Sequence, residues 1–250
     1  MNVPRYDVLV IGGGVIGTAV AARLSLTKLT VCLTEKSNDV ADGASKGNAG
    51  VASSYYSFPG SLEAKLTTAT VFRWEDICQR LNVPFRRIGA LMLALNEAEL
   101  EALELEKKQA LACGVRAELL SQREATTREP MISKECLGAL YLPDEGVIDP
   151  MRLTWAFAEV AAHNGVDVKL NSPVVKFEKV DGKVVKAITP TEVIFCRYVV
   201  NCTGLHADEI SSLADGELFR MWPRKGNYWI LDREFGSRLN HIIFSSCHLI

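Results

Sequence analysis

The sequence predicts an α/β fold with a further part of α+β type, and three observations carry that prediction. An apolar strand-like run, Tyr6–Ile11, breaks on glycines and resumes as an amphipathic helical stretch ending near Leu24. A second apolar strand, Leu29–Thr34, follows directly and completes a strand–helix–strand opening. Beyond residue 166 the apolar period changes to two, which predicts an antiparallel β-meander.

The break after Ile11 is specific. Gly12, Gly14 and Gly17 have the G-x-G-x-x-G spacing of a dinucleotide-binding turn. The first glycine permits the bend, the second lets backbone N–H groups approach a diphosphate, and the third lets helix and strand pack closely. The positive helix N-terminus then faces the phosphates. Glu35 closes the second strand 23 residues after Gly12, where a carboxylate accepts ribose hydroxyls. Residues 36–50 are small, polar and glycine-rich, and their position directly after that strand favours contact with the same ligand.

The remaining elements follow in order. Ser61–Leu81 reads as one helix, with Leu62, Leu66, Ala69, Trp74, Ile77 and Leu81 on its buried side and Pro84 beyond its end. Phe85–Arg87 and Ala90–Leu95 read as strands. Asn96 with Glu99, and Ser121 with Glu124, have capping-box spacing and open two helices, the first closed by Gly114 and the second by Pro130. Leu137–Leu142 is a strand and Pro143–Gly146 a turn. Asp149-Pro150 opens a helix that runs to Asn164 before Gly165. Val166, Val168 and Leu170 then alternate, and Val174–Val180 and Lys183–Thr189 flank the hairpin pair Asp181-Gly182. Glu192–Val200 leads into Asn201-Cys-Thr-Gly204 and a helix from about His206 to Leu213. His163, in the last turn of its helix, reads as a solvated imidazole.

Bulk properties narrow the partners. At 250 residues, 48% hydrophobic and 23% charged, the chain has the composition of a globular protein of one large or two small domains. A net charge of −2 provides no basic field for nucleic acid. The seven cysteines form no C-x-x-C pair, which predicts neither a metal site nor a disulfide framework and fits reduced thiols in the cytoplasm. No apolar run is long enough to span a bilayer, and the early first strand leaves no room for a signal peptide. Peripheral contact with a membrane stays open.

Taken together, these segments resemble the FAD-dependent oxidoreductases of the D-amino-acid oxidase type. The resemblance rests on Gly12-x-Gly14-x-x-Gly17-x-x-x-Ala21-x-x-Leu24, Val31-x-x-x-Glu35, Gly43–Gly50 and Asn201-Cys-Thr-Gly204. The glycerol-3-phosphate dehydrogenase and L-2-hydroxyglutarate dehydrogenase branch is favoured by Arg86–Leu91, Leu140–Pro150 and Met221–Gly226. The resemblance implies FAD in a Rossmann-like domain, with contacts from Gly12, Gly14, Val15, Ile16, Gly17, Glu35, Lys36, Ser45, Lys46, Asn48, Ala49, Gly50, Val175, Thr203 and Gly204. It implies a discontinuous FAD domain over residues 1–82 and 145–216, and a substrate domain with an antiparallel sheet over 83–144 and 217–250. The implied reaction passes hydride from a small anionic alcohol to flavin and then to oxygen, a quinone or a protein. Arg224 and Lys225, in a strand-like stretch, are adjacent cations suited to a phosphate or carboxylate.

Two departures from the family pattern bear on activity. Ser53 stands where the family carries a histidine near the flavin, and a serine is no base at neutral pH. Tyr55 or Tyr56 is left as a substitute, with His206 and His241 read as structural. Relatives also continue past Phe244 to complete the substrate sheet, which implies an incomplete substrate domain here. An amine or amino-acid oxidase, and a catalytically inactive truncated FAD-binding remnant, are the alternatives.

Overall fold

The computed structural model describes residues 5–54 and 58–245. The chain opens with β1 (Arg5–Ile11), α1 (Val15–Leu24), β2 (Val31–Thr34) and β3 (Val51–Ala52). It continues through α2 (Leu62–Thr70), α3 (Trp74–Arg80), β4 (Phe85–Arg87), β5 (Ala90–Ala94) and α4 (Glu97–Ala112). Then come β6 (Glu118–Ser121), α5 (Gln122–Arg128), β7 (Gly138–Leu142), β8 (Gly146–Ile148) and α6 (Pro150–His163). The last group is β9 (Asp167–Lys169), β10 (Lys176–Val180), β11 (Lys183–Ile188), β12 (Val193–Asn201), α7 (Ala207–Leu213), α8 (Arg233–Gly236) and β13 (Ile242–Ser245). No helix among the described residues is long and apolar enough to cross a membrane.

Two compact units emerge, Met1–Asn48 with Pro150–Asn227 and Ala49–Asp149 with Tyr228–Ile250. Residues 49–82 and 145–149, expected with the first, fall in the second, and 217–227, expected with the second, fall in the first.

The first unit is built on a six-stranded sheet of order β10-β11-β12-β1-β2-β9. β12, β1, β2 and β9 run parallel, while β10, β11 and β12 form the predicted antiparallel meander. β9 stands apart from that meander. It follows α6 and pairs in parallel with β2 at the far edge, Cys32 opposite Asp167, as a strand returning through a helix must. β1 is covered on both faces over Val8–Ile11, which is why that run is all apolar. Strand alternation sends Val8 and Val10 to the side of α1 and α6, with Leu33, Ala21 and Ala161. Leu9 and Ile11 face the other way, with Cys32, Phe177, Ile194 and Ile210. Leu9 and Leu33 are fully buried, each stabilising the fold by roughly 2 kcal/mol. The hairpin pair Asp181-Gly182 has positive φ at both residues, the backbone of a type I′ turn.

The second unit holds a four-stranded sheet of order β13-β5-β7-β6 and a three-stranded antiparallel sheet of order β3-β8-β4. The larger sheet is mixed rather than antiparallel throughout, because β13 joins the edge of β5 in parallel. α4 covers one face, Leu103 and Ala110 packing with Ala90, Leu140 and Leu142. The caps of α4 and α5 form as the spacing predicts, Asn96 accepting from the Glu99 N–H and Ser121 making a full capping box with Glu124. The predicted single helix over 61–81 is instead α2 and α3 separated by a 3₁₀ turn at Val71–Arg73. Leu62 and Leu66 are exposed at 67% and 58%, and the buried residues here are Ala64, Val71 and Cys78. The turn is anchored by Arg87, whose guanidinium donates to the Val71 carbonyl (2.8 Å) and to both oxygens of Glu75. Buried Glu129 accepts N–H bonds from Asn240 (2.7 Å) and His241 (3.1 Å) and so fixes the approach to β13.

Candidate functional site

The glycine turn is constrained by its own backbone. Gly12 has φ +107, and a Cβ there would lie 2.5 Å from the Cys202 carbonyl oxygen. A Cβ at Gly17 would lie 1.8 Å from the Gly12 carbonyl oxygen, so only glycine lets α1 settle this close to the turn. Gly14 caps α1, whose leading N–H groups have no partners within the helix. One of them, from Val15, donates to Ser45 Oγ (2.9 Å). Glu35 reaches back to the turn, accepting from the Gly13 N–H at 2.6 Å and the Ser37 N–H at 2.9 Å.

These parts border a cavity of about 550 Å³. Gly12, Gly14, Val15 and Ile16 form one side, Glu35 and Lys36 another. Ser45 and Asn48 line it from the polar loop, and Thr203 and Gly204 from the end of β12. Asn48 steadies that loop by donating to the carbonyls of Ala44 (3.2 Å) and Ser45 (2.9 Å). Cys202 also lines the cavity, and burial pushes its thiol up from the ordinary cysteine range.

A smaller cavity of about 240 Å³ adjoins the first and shares Gly12, Glu35, Lys36, Thr203 and His206 with it. Its apolar walls are Ile11, Pro173, Val174 and Ile210. At the boundary Lys36 Nζ lies 2.9 Å from His206 Nε2, and His206 Nδ1 lies 3.1 Å from Glu209 Oε1. A lysine only donates, so Nε2 accepts here and Nδ1 carries the proton toward Glu209. His206 is thus part of the cavity wall and not only a cap residue. Its position two residues beyond Gly204, in the turn that follows β12, was the one available signal.

Other expected residues lie elsewhere. Gly17 packs against Gly12 instead of lining the cavity. Lys46 pairs with Asp42. Val175 is half exposed and pairs its N–H with the Ile188 carbonyl, while its neighbours Pro173 and Val174 line the smaller cavity. Ala49 and Gly50 open the second unit, where the Gly50 carbonyl accepts from the Ile148 N–H (2.8 Å). Arg224 and Lys225 are exposed in irregular chain after α7, not in a strand, and neither lines a cavity with the glycine turn. Tyr56 lies outside the described residues, as does Tyr55. Ser53 Oγ donates to buried Glu145 (3.2 Å), which also accepts from the Ser54 N–H (2.7 Å).

The glycine turn with its carboxylate belongs to a wider group of proteins. A family model described as FAD dependent oxidoreductase matches residues 7–247. The chain belongs to that family. It is 37% identical to a glycerol 3-phosphate dehydrogenase of Caloramator mitchellensis, over 96% of this chain and 50% of the relative. It is 30% identical to the human mitochondrial L-2-hydroxyglutarate dehydrogenase, over 92% of this chain and 52% of the relative. Among solved structures, dithionite-reduced L-alpha-glycerophosphate oxidase from Mycoplasma pneumoniae with FAD bound superposes with a TM-score of 0.85 at 27% identity, covering 98% of this chain and 66% of that one. The chain thus spans about half the length of the two curated relatives.

Proposed function

We propose that the first unit binds FAD at the glycine turn, and that the protein oxidises a small anionic alcohol, glycerol 3-phosphate ahead of L-2-hydroxyglutarate. The observation that carries this reading is the 550 Å³ cavity bounded on one side by the leading amides of α1 and on another by Glu35. The residues suit the cofactor. No side chain at Gly12 or Gly14 obstructs the approach of a diphosphate to the helix terminus, where the dipole and free N–H groups favour negative charge. Glu35 keeps its two backbone donors and has lone pairs left for ribose hydroxyls. FAD, when bound, supplies the hydride acceptor for the alcohol carbon. The protein's part is to hold the cofactor and orient the C–H bond. Arg224 and Lys225 are assigned to the substrate's anionic group, and the second unit to the substrate side. The branch of the two curated relatives supports this order of substrates.

A single anaerobic titration tests the proposal. Purified protein incubated with FAD shows a flavin absorbance band, which bleaches on adding glycerol 3-phosphate and more slowly with L-2-hydroxyglutarate. Absence of a bound flavin band after incubation overturns the cofactor assignment. A stable band that bleaches only with glycine or proline transfers the reading to amine oxidation.

A further inference from the structure

Glu129, just past α5, is fully buried in the second unit and gathers the chain that leads into β13. Its Oε2 accepts from the N–H groups of Asn240 (2.7 Å) and His241 (3.1 Å), and it lies 3.4 Å from Nδ1 of the His241 imidazole. The other oxygen accepts from the Met131 N–H (3.4 Å). Among the described residues no lysine or arginine pairs with this carboxylate, and His241 is the group that can bring it a positive charge. A buried carboxylate held by neutral donors alone is only partly compensated, and a cation beside it supplies what they lack. His241 is sheltered too, its side chain 14% exposed, and Tyr141 of β7 meets its ring edge to face at 5.7 Å. The other charged groups nearby are engaged elsewhere. Arg128 of α5 stacks on Tyr141 (4.4 Å) and pairs with Glu118 (3.5 Å), Arg238 stacks on Phe235 (5.3 Å), and β5 carries no titratable side chain.

We propose that Glu129 and His241 form a pH-sensitive latch that fastens β13 to the edge of β5. His241 immediately precedes β13, and the Ile242 N–H donates to the Gly89 carbonyl (3.0 Å) where the pairing with β5 begins. A carboxylate holds an imidazolium more strongly than a neutral imidazole, since a charge-assisted hydrogen bond is roughly twice as strong as a neutral one. An imidazole changes its charge between about pH 5 and 8. The latch therefore contributes most on the acid side of neutrality and loses its ionic part as pH rises. One pair can govern this strand because it is short, four residues, and lies at the edge of its sheet. Its release uncovers the flank of β5, a row of backbone groups open to pairing with another strand.

Hydrogen exchange of the purified full chain, read by mass spectrometry at about pH 6 and about pH 8 and corrected for the intrinsic exchange rate, tests the latch. Protection of the β13 amides falls by about threefold to tenfold from the lower pH to the higher, while that of β6 and β7 holds. His241→Gln keeps a side-chain N–H for Glu129 but cannot gain charge, and its β13 protection stays within about twofold at the two pH values. Glu129→Gln, which retains an acceptor oxygen without the charge, flattens the profile in the same way. Equal protection of β13 at both pH values in the parent overturns the proposal, and that outcome needs no variant to fold. A fall that persists undiminished in His241→Gln overturns it as well, since another group is then titrating. A fall shared equally by β6 and β7 overturns it by showing that the whole unit loosens instead of its edge.

Discussion

In the glycine turn of residues 12–17, the space a side chain would need at Gly12 and Gly17 is taken by neighbouring backbone. In residues 216–232 there is no regular structure, and Leu218, Trp222, Trp229 and Ile230 are 75% to 98% exposed. The first region is a strand, a turn and a helix in one short segment, closed locally at Gly17 by the Gly12 carbonyl and at Gly12 by the Cys202 carbonyl of the chain after β12. The second is tied to α7 at Glu217, whose carbonyl accepts from Ser211 Oγ (2.8 Å), and at Met221, whose N–H donates to Asp208 (2.9 Å), while Arg224 and Lys225 beyond it are exposed in irregular chain. A cofactor site made from backbone atoms can be written into a short motif. A substrate site made from side chains on irregular chain cannot.

Substitutions can break or sharpen that contrast, and the strongest is Gly17→Ala. Its Cβ would meet the Gly12 carbonyl oxygen at 1.8 Å, a clash between two backbone segments that neither can avoid cheaply. We expect a loss of about 3 kcal/mol, a Tm lower by roughly 6–12 °C, and loss of FAD binding in the same preparation. A Gly17→Ala protein with parental Tm would break the contrast at its root.

Next in size is Glu35→Ala, which removes the acceptor for the Gly13 and Ser37 N–H groups. These are charge-assisted bonds, so the denaturant midpoint should fall by the equivalent of about 1–2 kcal/mol and FAD affinity by about tenfold or more. Glu35→Gln, which keeps one acceptor oxygen, should lie between that variant and the parent.

A smaller effect comes from pH. Burial pushes the Cys32 thiol up to about 12, against an ordinary value of about 8.5. The folded protein therefore keeps a proton that the unfolded chain releases. This stability is complete below about pH 8.5 and is lost as pH rises toward 12. Thermal melts between about pH 9 and 11 should decline less steeply for Cys32→Ala than for the parent.

The smallest change in stability belongs to Arg224→Ala and Lys225→Ala. Both side chains are exposed, and each variant should keep its stability within about 0.5 kcal/mol. If they clamp the substrate anion, KM for glycerol 3-phosphate rises about tenfold or more in each while FAD affinity holds. Unchanged KM in both would leave the anion to be held elsewhere and would sharpen the contrast, removing residues 216–232 from the site.

What was legible in the sequence was short in range. The strand, glycine turn and helix at residues 6–24, the Asp181-Gly182 hairpin and the caps at Asn96 and Ser121 each depend on residues within a few positions. β3, β6 and β8, of two to four residues, were not read as strands, since such short segments carry little periodic signal of their own. The parallel pairing of β13 with β5 joins segments about 150 residues apart, and no local pattern announces it. The break between α2 and α3 reflects Arg87, from the next strand, taking the Val71 carbonyl. The site divided in the same way. Glu35 and the glycines announced themselves by spacing, whereas His206 gained its position only when β2, α7 and the chain at Pro173 met around one cavity.

The parallel pairing of β1 with β12 sets a schedule for the protein's birth. Ile11 finds its partner in Asn201, about 190 residues later. At about 5–20 residues per second, a ribosome needs roughly 10–40 s to deliver that partner after β1 is made. For that interval one flank of an apolar strand has no neighbour, a template for wrong pairing that a chaperone or a nascent-chain cofactor would have to guard. Folding of the first unit is therefore governed by arrival of the chain near residue 200, and slower synthesis lengthens the period of risk.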